Sequence, residues 1–172
     1  MTQTNKTGKG YAQNLAVRGI AVYTFDYRGG SQGRLVAAHV ATKFSADLLG
    51  LILLYPAFII PDSIHADFKN LEEIPEKYSY RGWIQVGKIY ATDAWSFDPY
   101  SEMKNFKKPV LILHGDKDSA VDVSYSKKAV ENYPDAELKI FEGSEHLFET
   151  EKDFNDAINY ILYFLEKIKM FA

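Results

Sequence analysis

Apolar residues follow two patterns along this chain: short continuous runs, and positions spaced three or four apart. Continuous runs bounded by turn residues predict strands buried on both faces of a sheet. There are four such runs: residues 20–27, 51–55, 110–114 and 137–141. Helical spacing predicts four helices: residues 11–18, 35–44, 124–133 and 151–170. Because strands and helices alternate, we expect an α/β domain with a mostly parallel sheet of about four strands.

Residues 58–108 show neither pattern clearly, and they are rich in aromatic side chains. A long irregular segment inside a compact domain is usually functional, so we predict a lid or cap insertion within one domain spanning residues 1–172. Asp98-Pro99 predicts a short helix through Met103, with aspartate as the N-cap. The aromatic residues of this segment either line a substrate pocket or pack over the sheet; the candidates for substrate binding are Trp83, Tyr90 and Trp95.

Composition excludes several classes of protein. The 172 residues suit one domain, and 47% are hydrophobic, which argues against disorder. Acidic residues number 23 and basic residues 20, so the net charge of −3 does not favour nucleic-acid binding. The chain has no cysteine, which excludes a thiol nucleophile or a cysteine-bound metal. The longest apolar stretch, 48–60, is interrupted by Gly50 and Pro56 and is too short to span a bilayer. We therefore expect a cytoplasmic protein without membrane contact.

A first chemical motif follows the first predicted strand. The sequence Gly29-Gly30-Ser31-Gln32-Gly33 matches G-x-S-x-G and precedes a predicted helix. A serine at such a strand-to-helix turn sits in strained backbone, and glycine two residues away on either side avoids a collision. The pattern indicates that Ser31 is a nucleophile; a flexible glycine-rich turn is the alternative.

Two further turns follow predicted strands. His114-Gly115-Asp116-Lys117-Asp118 comes after VLIL, and Gly143-Ser144-Glu145-His146 comes after ELKIF. Ligands of parallel sheets bind at the carboxyl ends of the strands, where such turns meet. Asp118 is a candidate to orient a histidine, and His146 is a candidate general base. Alternatively, the aspartate bonds its own turn, His146 is a surface residue, or the carboxylates beside His114 bind a metal, although no second histidine cluster supports a metal.

The order Ser31, Asp118, His146 is that of α/β-hydrolases. At these residues the chain resembles that superfamily, and more narrowly the bacterial cinnamoyl/feruloyl esterases and the serine aminopeptidase and monoacylglycerol lipase group. The sequence segments that carry the resemblance include YAQNLAVRGIAVYTFDYRG, GSQGRLVAAHVA, LGLILLYPA, KKPVLILHGDKDSAV and IFEGSEHLF. The resemblance implies a Ser-Asp-His triad, an oxyanion donor at the Gln32 N–H, and hydrolysis of hydroxycinnamoyl or short acyl esters. It implies no cofactor and no metal.

The chain also departs from that pattern. The family has a His-Gly loop that supplies a second oxyanion donor, and a longer connection before the serine; residues 1–172 contain neither. We therefore expect a shortened hydrolase with weak activity. The strand at 20–27 would then lie at a sheet edge, which predicts a homodimer or higher oligomer through edge pairing. The alternative is a degenerate, non-catalytic remnant that acts as a binding or oligomeric module.

Overall fold

The computed structural model describes residues 8–17, 32–82 and 84–169. Its five strands are β1 (Leu51–Leu54), β2 (Lys77–Tyr80), β3 (Ile84–Gly87), β4 (Val110–Gly115) and β5 (Ala136–Phe141). Its six α-helices are α1 (Gly8–Ala16), α2 (Gln32–Lys43), α3 (Ile60–Asp67), α4 (Lys88–Trp95), α5 (Ser124–Asn132) and α6 (Glu151–Lys169). Three short 3₁₀ turns complete the described elements: Ser45–Asp47, Leu71–Glu73 and Met103–Asn105. No helix within these ranges is long and apolar enough to cross a membrane.

The main sheet is parallel, with β4 between β1 and β5. All six residues of β4 are buried, as expected for the central strand of a sheet covered on both faces. Leu51 pairs with Val110, and Val110 pairs with Ala136, so the three strands start at one level and end at the same edge. The turns that follow β4 and β5 are therefore neighbours.

Helices cover both faces of this sheet. Val110 and Ile112 of β4 pack into a core with α2, α5 and the segment 58–108. Leu111 and Leu113, which point to the opposite face, pack with α1 and α6. The arrangement is helix, sheet, helix, and the prediction of an α/β domain is confirmed. The strand predicted at 20–27 and its edge pairing lie outside the described residues.

The segment 58–108 is more regular than its sequence pattern predicts. It contains α3, α4 and an antiparallel hairpin of β2 and β3. The hairpin turn includes Arg81 and Gly82, both with positive φ, 53° and 80°. Glycine adopts this backbone easily. The Arg81-Gly82 pair between the short segments KYSY and IQV is therefore the sequence feature that indicates a hairpin turn here.

The helix predicted from Asp98 through Met103 is wrong. Asp98 Oδ1 accepts the Tyr100 N–H at 2.9 Å, which folds the chain into a turn. A 3₁₀ turn at Met103–Asn105 follows it. Aspartate side chains that bond the backbone two residues on favour such turns in place of a helix.

Candidate active site

The turn after β4 buries the carboxylate of Asp118. Its side chain has no exposed surface. Oδ1 accepts the backbone N–H groups of Ala120 and Val121, each at 2.8 Å. Oδ2 faces two histidines, His146 Nδ1 at 2.6 Å and His114 Nε2 at 3.1 Å. The carboxylate thus has four hydrogen-bond partners, which is enough to hold a charge out of contact with water.

These partners decide the charge of Asp118. Burial by itself opposes ionisation and raises the pKa of the carboxyl group. The hydrogen bonds from His114, His146 and the Val121 backbone act in the opposite direction and outweigh burial, so the pKa of Asp118 is held well below its usual range. Asp118 is therefore a carboxylate at neutral pH.

The turn after β5 carries His146. Its Nδ1 contacts Asp118, and its ring makes an edge-to-face contact with the ring of Tyr55, with ring centroids 4.7 Å apart. The backbone on either side is unusual: Gly143, Leu147 and Phe148 have φ values of 75°, 74° and 49°. Left-handed backbone at two consecutive non-glycine residues is strained, and such strain concentrates at functional sites.

The two turns are joined by backbone contacts. The Lys117 N–H donates to the Ser144 carbonyl at 3.1 Å, and the Gly143 N–H donates to Asp116 Oδ1 at 2.6 Å. Gly115 allows this approach, because a Cβ there would overlap the Ser144 carbonyl group, with the carbonyl carbon only 2.7 Å away. The absence of a side chain at Gly115 therefore lets the histidine turn sit against the aspartate turn.

Two of the predicted triad residues, Asp118 and His146, are thus hydrogen-bonded to each other. Ser31 lies outside the described residues; the described part of α2 begins at the next residue, Gln32, the predicted oxyanion donor. Trp83 also lies outside the described residues. Tyr90 and Trp95 are on α4, where their rings contact Tyr80 and His65 of the segment 58–108.

Two residues at this site were not predicted. His114, at the end of a predicted strand, bonds to Asp118. Tyr55 was read only as the end of a strand; it has a φ of 39° and packs its buried ring against His146. The four-residue spacing of His114 and Asp118 across a sharp turn is a sequence signal for the contact between them. Nothing in the sequence indicates the contact between Tyr55 and His146.

The metal alternative was also open for the turn after β4. There, Asp116 Oδ1 accepts the Gly143 N–H, and Asp118 Oδ2 faces two histidine ring nitrogens. Among the described residues, no group of three or more histidine, cysteine, aspartate or glutamate side chains is placed to hold a metal ion.

A cavity of about 550 Å³ lies elsewhere. It is lined by Val110 and Ala136, the first residues of β4 and β5, and by Phe164 and Ile168 of α6. It is therefore at the amino ends of the strands, away from Asp118 and His146. We assign it no part in the chemistry, because catalytic groups of parallel sheets lie at the carboxyl ends.

A family comparison identifies the chain. The sequence model of the prolyl oligopeptidase family matches residues 64–170, which is more than half of the chain. The chain belongs to the prolyl oligopeptidase family. The solved structure of Est1E from Butyrivibrio proteoclasticus superposes with a TM-score of 0.74 at 24% identity, over 81% of this chain and 59% of Est1E. The predicted α/β-hydrolase fold is confirmed.

Two curated proteins also match parts of the chain. A non-heme chloroperoxidase of Kitasatospora aureofaciens is 37% identical over 62 residues, which are 35% of this chain and 22% of that protein. A monoglyceride lipase of Saccharomyces cerevisiae is 39% identical over 71 residues, which are 37% of this chain and 23% of the lipase. The matched regions therefore span less than a quarter of either curated relative.

Proposed function

We propose that this member of the prolyl oligopeptidase family is a serine hydrolase of carboxylic esters. Ser31 acts as nucleophile, His146 as general base and Asp118 as the group that orients the imidazole. The observation that carries the proposal is the 2.6 Å contact between His146 Nδ1 and the buried Asp118 Oδ2, at the carboxyl edge of a parallel sheet.

This contact assigns the protons of the imidazole. Asp118 is ionised and only accepts, so Nδ1 of His146 carries a hydrogen. In neutral imidazole the other nitrogen, Nε2, then has a free lone pair, and it has no hydrogen-bond partner among the described residues. The His146 side chain is 18% exposed, so this nitrogen can accept a proton from a hydroxyl.

The reaction follows from that lone pair. Ser31 Oγ attacks the ester carbonyl carbon as its proton passes to His146 Nε2. The C–O bond to the alcohol then breaks, and the Nε2 proton goes to the departing oxygen. Water attacks the acyl-enzyme, gives its proton to Nε2, and releases the carboxylic acid as Ser31 recovers its hydrogen. The Gln32 N–H, at the start of α2, is proposed to donate to the carbonyl oxygen during both attacks.

Ester substrates are favoured by the relatives. One curated relative is a monoglyceride lipase, and Est1E has also been solved with ferulic acid bound. We propose that the acyl group of the substrate binds against three aromatic residues of the segment 58–108, namely Trp83, Tyr90 and Trp95. In support, Arg81 of the hairpin turn donates to the Ala120 carbonyl, which joins this segment to the turn that holds Asp118.

The test compares serine variants. The 172-residue chain is incubated with nitrophenyl butyrate, with methyl ferulate, and with a nitroanilide amide, because the family name refers to peptide substrates. A fluorophosphonate probe, mapped by mass spectrometry of peptides, identifies the reactive serine. We expect ester turnover and labelling at Ser31, both lost in Ser31→Ala and both kept in Ser119→Ala, a control in the exposed part of the aspartate turn.

Two results would contradict the proposal, and a third would change its substrate class. The first is turnover that Ser31→Ala leaves unchanged. The second is no turnover of the esters and no labelling of the folded chain, which would favour the non-catalytic binding or oligomeric module. Turnover of the amide at a higher kcat/KM than the ester would replace esters by amides as the substrate class.

A further inference from the structure

A second histidine bonds to the same carboxylate oxygen of Asp118 as His146. His114 has no exposed surface. Its Nε2 lies 3.1 Å from Asp118 Oδ2 and 2.9 Å from the Val121 carbonyl oxygen. Its Nδ1 lies 2.6 Å from Ser126 Oγ, on α5. One buried ring therefore connects a helix, the catalytic carboxylate and the backbone of the aspartate turn.

The partners fix where the His114 proton lies. A carbonyl oxygen and a carboxylate can only accept, so Nε2 carries a hydrogen shared between Val121 O and Asp118 Oδ2. The neutral ring then has its lone pair on Nδ1, where the Ser126 hydroxyl donates. The opposite tautomer would direct a lone pair at two oxygens. The Val121 carbonyl and Asp118 therefore set the tautomer, and the Ser126 hydroxyl, which then donates to Nδ1, holds the ring in place.

Orientation of the carboxylate depends on this donor. The two backbone N–H groups of Ala120 and Val121 hold Oδ1, whereas Oδ2 accepts from side chains alone. Without His114, the position of Oδ2 would be set by His146, the group that Asp118 has to orient. His114 belongs to the buried strand β4, so its ring is held rigidly and can fix the position of Oδ2.

We propose that His114 is a positioning residue that fixes the direction of Asp118 Oδ2 toward His146, with the hydrogen bond to Ser126 Oγ holding the His114 ring in position. The effect on rate rests on the proposed function; the effect on the Asp118–His146 hydrogen bond does not. The competing role is filling of space in the core, which a leucine would also perform.

The experiment measures the hydrogen bond and the rate separately. A proton held between imidazole Nδ1 and a buried carboxylate resonates far downfield in the NMR spectrum, and ¹⁵N-labelled histidine assigns it. His146→Gln should abolish this resonance, and His65→Gln, at an exposed histidine, should leave it unchanged. The variants of interest are His114→Leu, which fills the space without a donor, His114→Gln, whose amide nitrogen can replace Nε2, and Ser126→Ala.

Each variant has an expected result. His114→Leu should weaken or remove the resonance and lower kcat about 10- to 100-fold with KM unchanged, because the triad is misaligned by a fraction of an ångström. His114→Gln should restore the resonance and bring kcat to within about 3-fold of the natural chain. Ser126→Ala should lie between them, about 10-fold down in kcat, since the His114 ring loses the hydrogen bond that holds it against α5.

Several outcomes would overturn the inference: an unchanged resonance and kcat in folded His114→Leu, a glutamine variant as impaired as the leucine variant, or no downfield resonance in the natural chain. If His114→Leu does not fold, an unchanged resonance in Ser126→Ala overturns it. If the natural chain hydrolyses no ester but shows the resonance, the proposed function fails while the resonances of the variants still decide the role of His114.

Discussion

The turns after β4 and β5 and the segment 58–108 are held together by different forces. In the turns, polar atoms form hydrogen bonds at defined distances, and the single carboxylate of Asp118 has four hydrogen-bond partners. In the segment 58–108, packing is mainly apolar, with Phe58 and Phe106 almost fully buried. Directional contacts fail when one atom moves, whereas apolar packing tolerates changes of similar volume. The two regions should therefore respond very differently to small substitutions.

The largest effect is expected where one carboxylate of the aspartate turn is replaced and the other serves as control. Asp118→Asn should lower kcat about 10³–10⁴-fold, because an amide cannot hold the correct imidazole tautomer. Asp116→Asn keeps an oxygen for the Gly143 N–H, so kcat should change less than about 3-fold. Ester kinetics of both variants test this, and equal losses would show that Asp118 has no special role.

A second pair of substitutions compares one glycine from each region. Gly115→Ala should push the histidine turn away, lowering kcat about 100-fold and stability by about 1–3 kcal/mol, because the new Cβ overlaps the Ser144 carbonyl. Gly87→Ala, at the end of β3, meets no atom closer than 3.8 Å and should be close to neutral. Urea unfolding and ester kinetics would measure both. A harmless Gly115→Ala would contradict the close contact between the turns.

Low pH should destabilise the folded chain through protonation of Asp118, in the turn after β4. Its pKa is lower in the folded chain than in the unfolded chain, so its contribution to stability is complete above the unfolded value of about 4. That contribution is lost progressively as the pH falls through the folded pKa. The free energy of unfolding, measured from pH 6 downward, should fall less steeply in Asp118→Asn than in the natural chain. Parallel curves would contradict this account.

A smaller effect is expected from the aromatic residues assigned to the acyl group. Trp95→Leu should raise KM for methyl ferulate about 10-fold and leave kcat unchanged, since it removes binding surface but no reacting group. Nitrophenyl acetate, whose acyl group is small, is the control and should show less change. A fall in kcat on both esters at constant KM would instead place Trp95 among the structural residues.

The smallest effect is expected at Tyr78 of β2. Burial raises the pKa of its hydroxyl to about 12, and the hydroxyl has no hydrogen-bond partner among the described residues. Tyr78→Phe should therefore change the free energy of unfolding by less than about 1 kcal/mol, or stabilise the chain slightly. Thermal unfolding tests this, and a loss of several kcal/mol would mean that the segment 58–108 also depends on a directional contact.

Much of the fold could be read from the sequence, because burial of a parallel strand on both faces requires a continuous apolar run. The runs LILLY and VLILH therefore predicted β1 and β4 to within a residue. The hairpin of β2 and β3 was missed because its four-residue strands are too short to establish a period. Asp98 was misread as a helix cap because the same side-chain hydrogen bond also begins a turn.

The amino-acid sequence by itself determined the alternation of strands and helices, and it placed an aspartate turn and a histidine turn each directly after a strand. Only the tertiary structure decided which atoms meet there: that Asp118 faces inward while Asp116 bonds the opposite turn, and that His114 is a second donor to the same carboxylate. The reason is physical. Apolar patterning depends on which face a residue occupies, whereas a hydrogen bond depends on distances of a few tenths of an ångström, which are set when the turns pack together across Gly115.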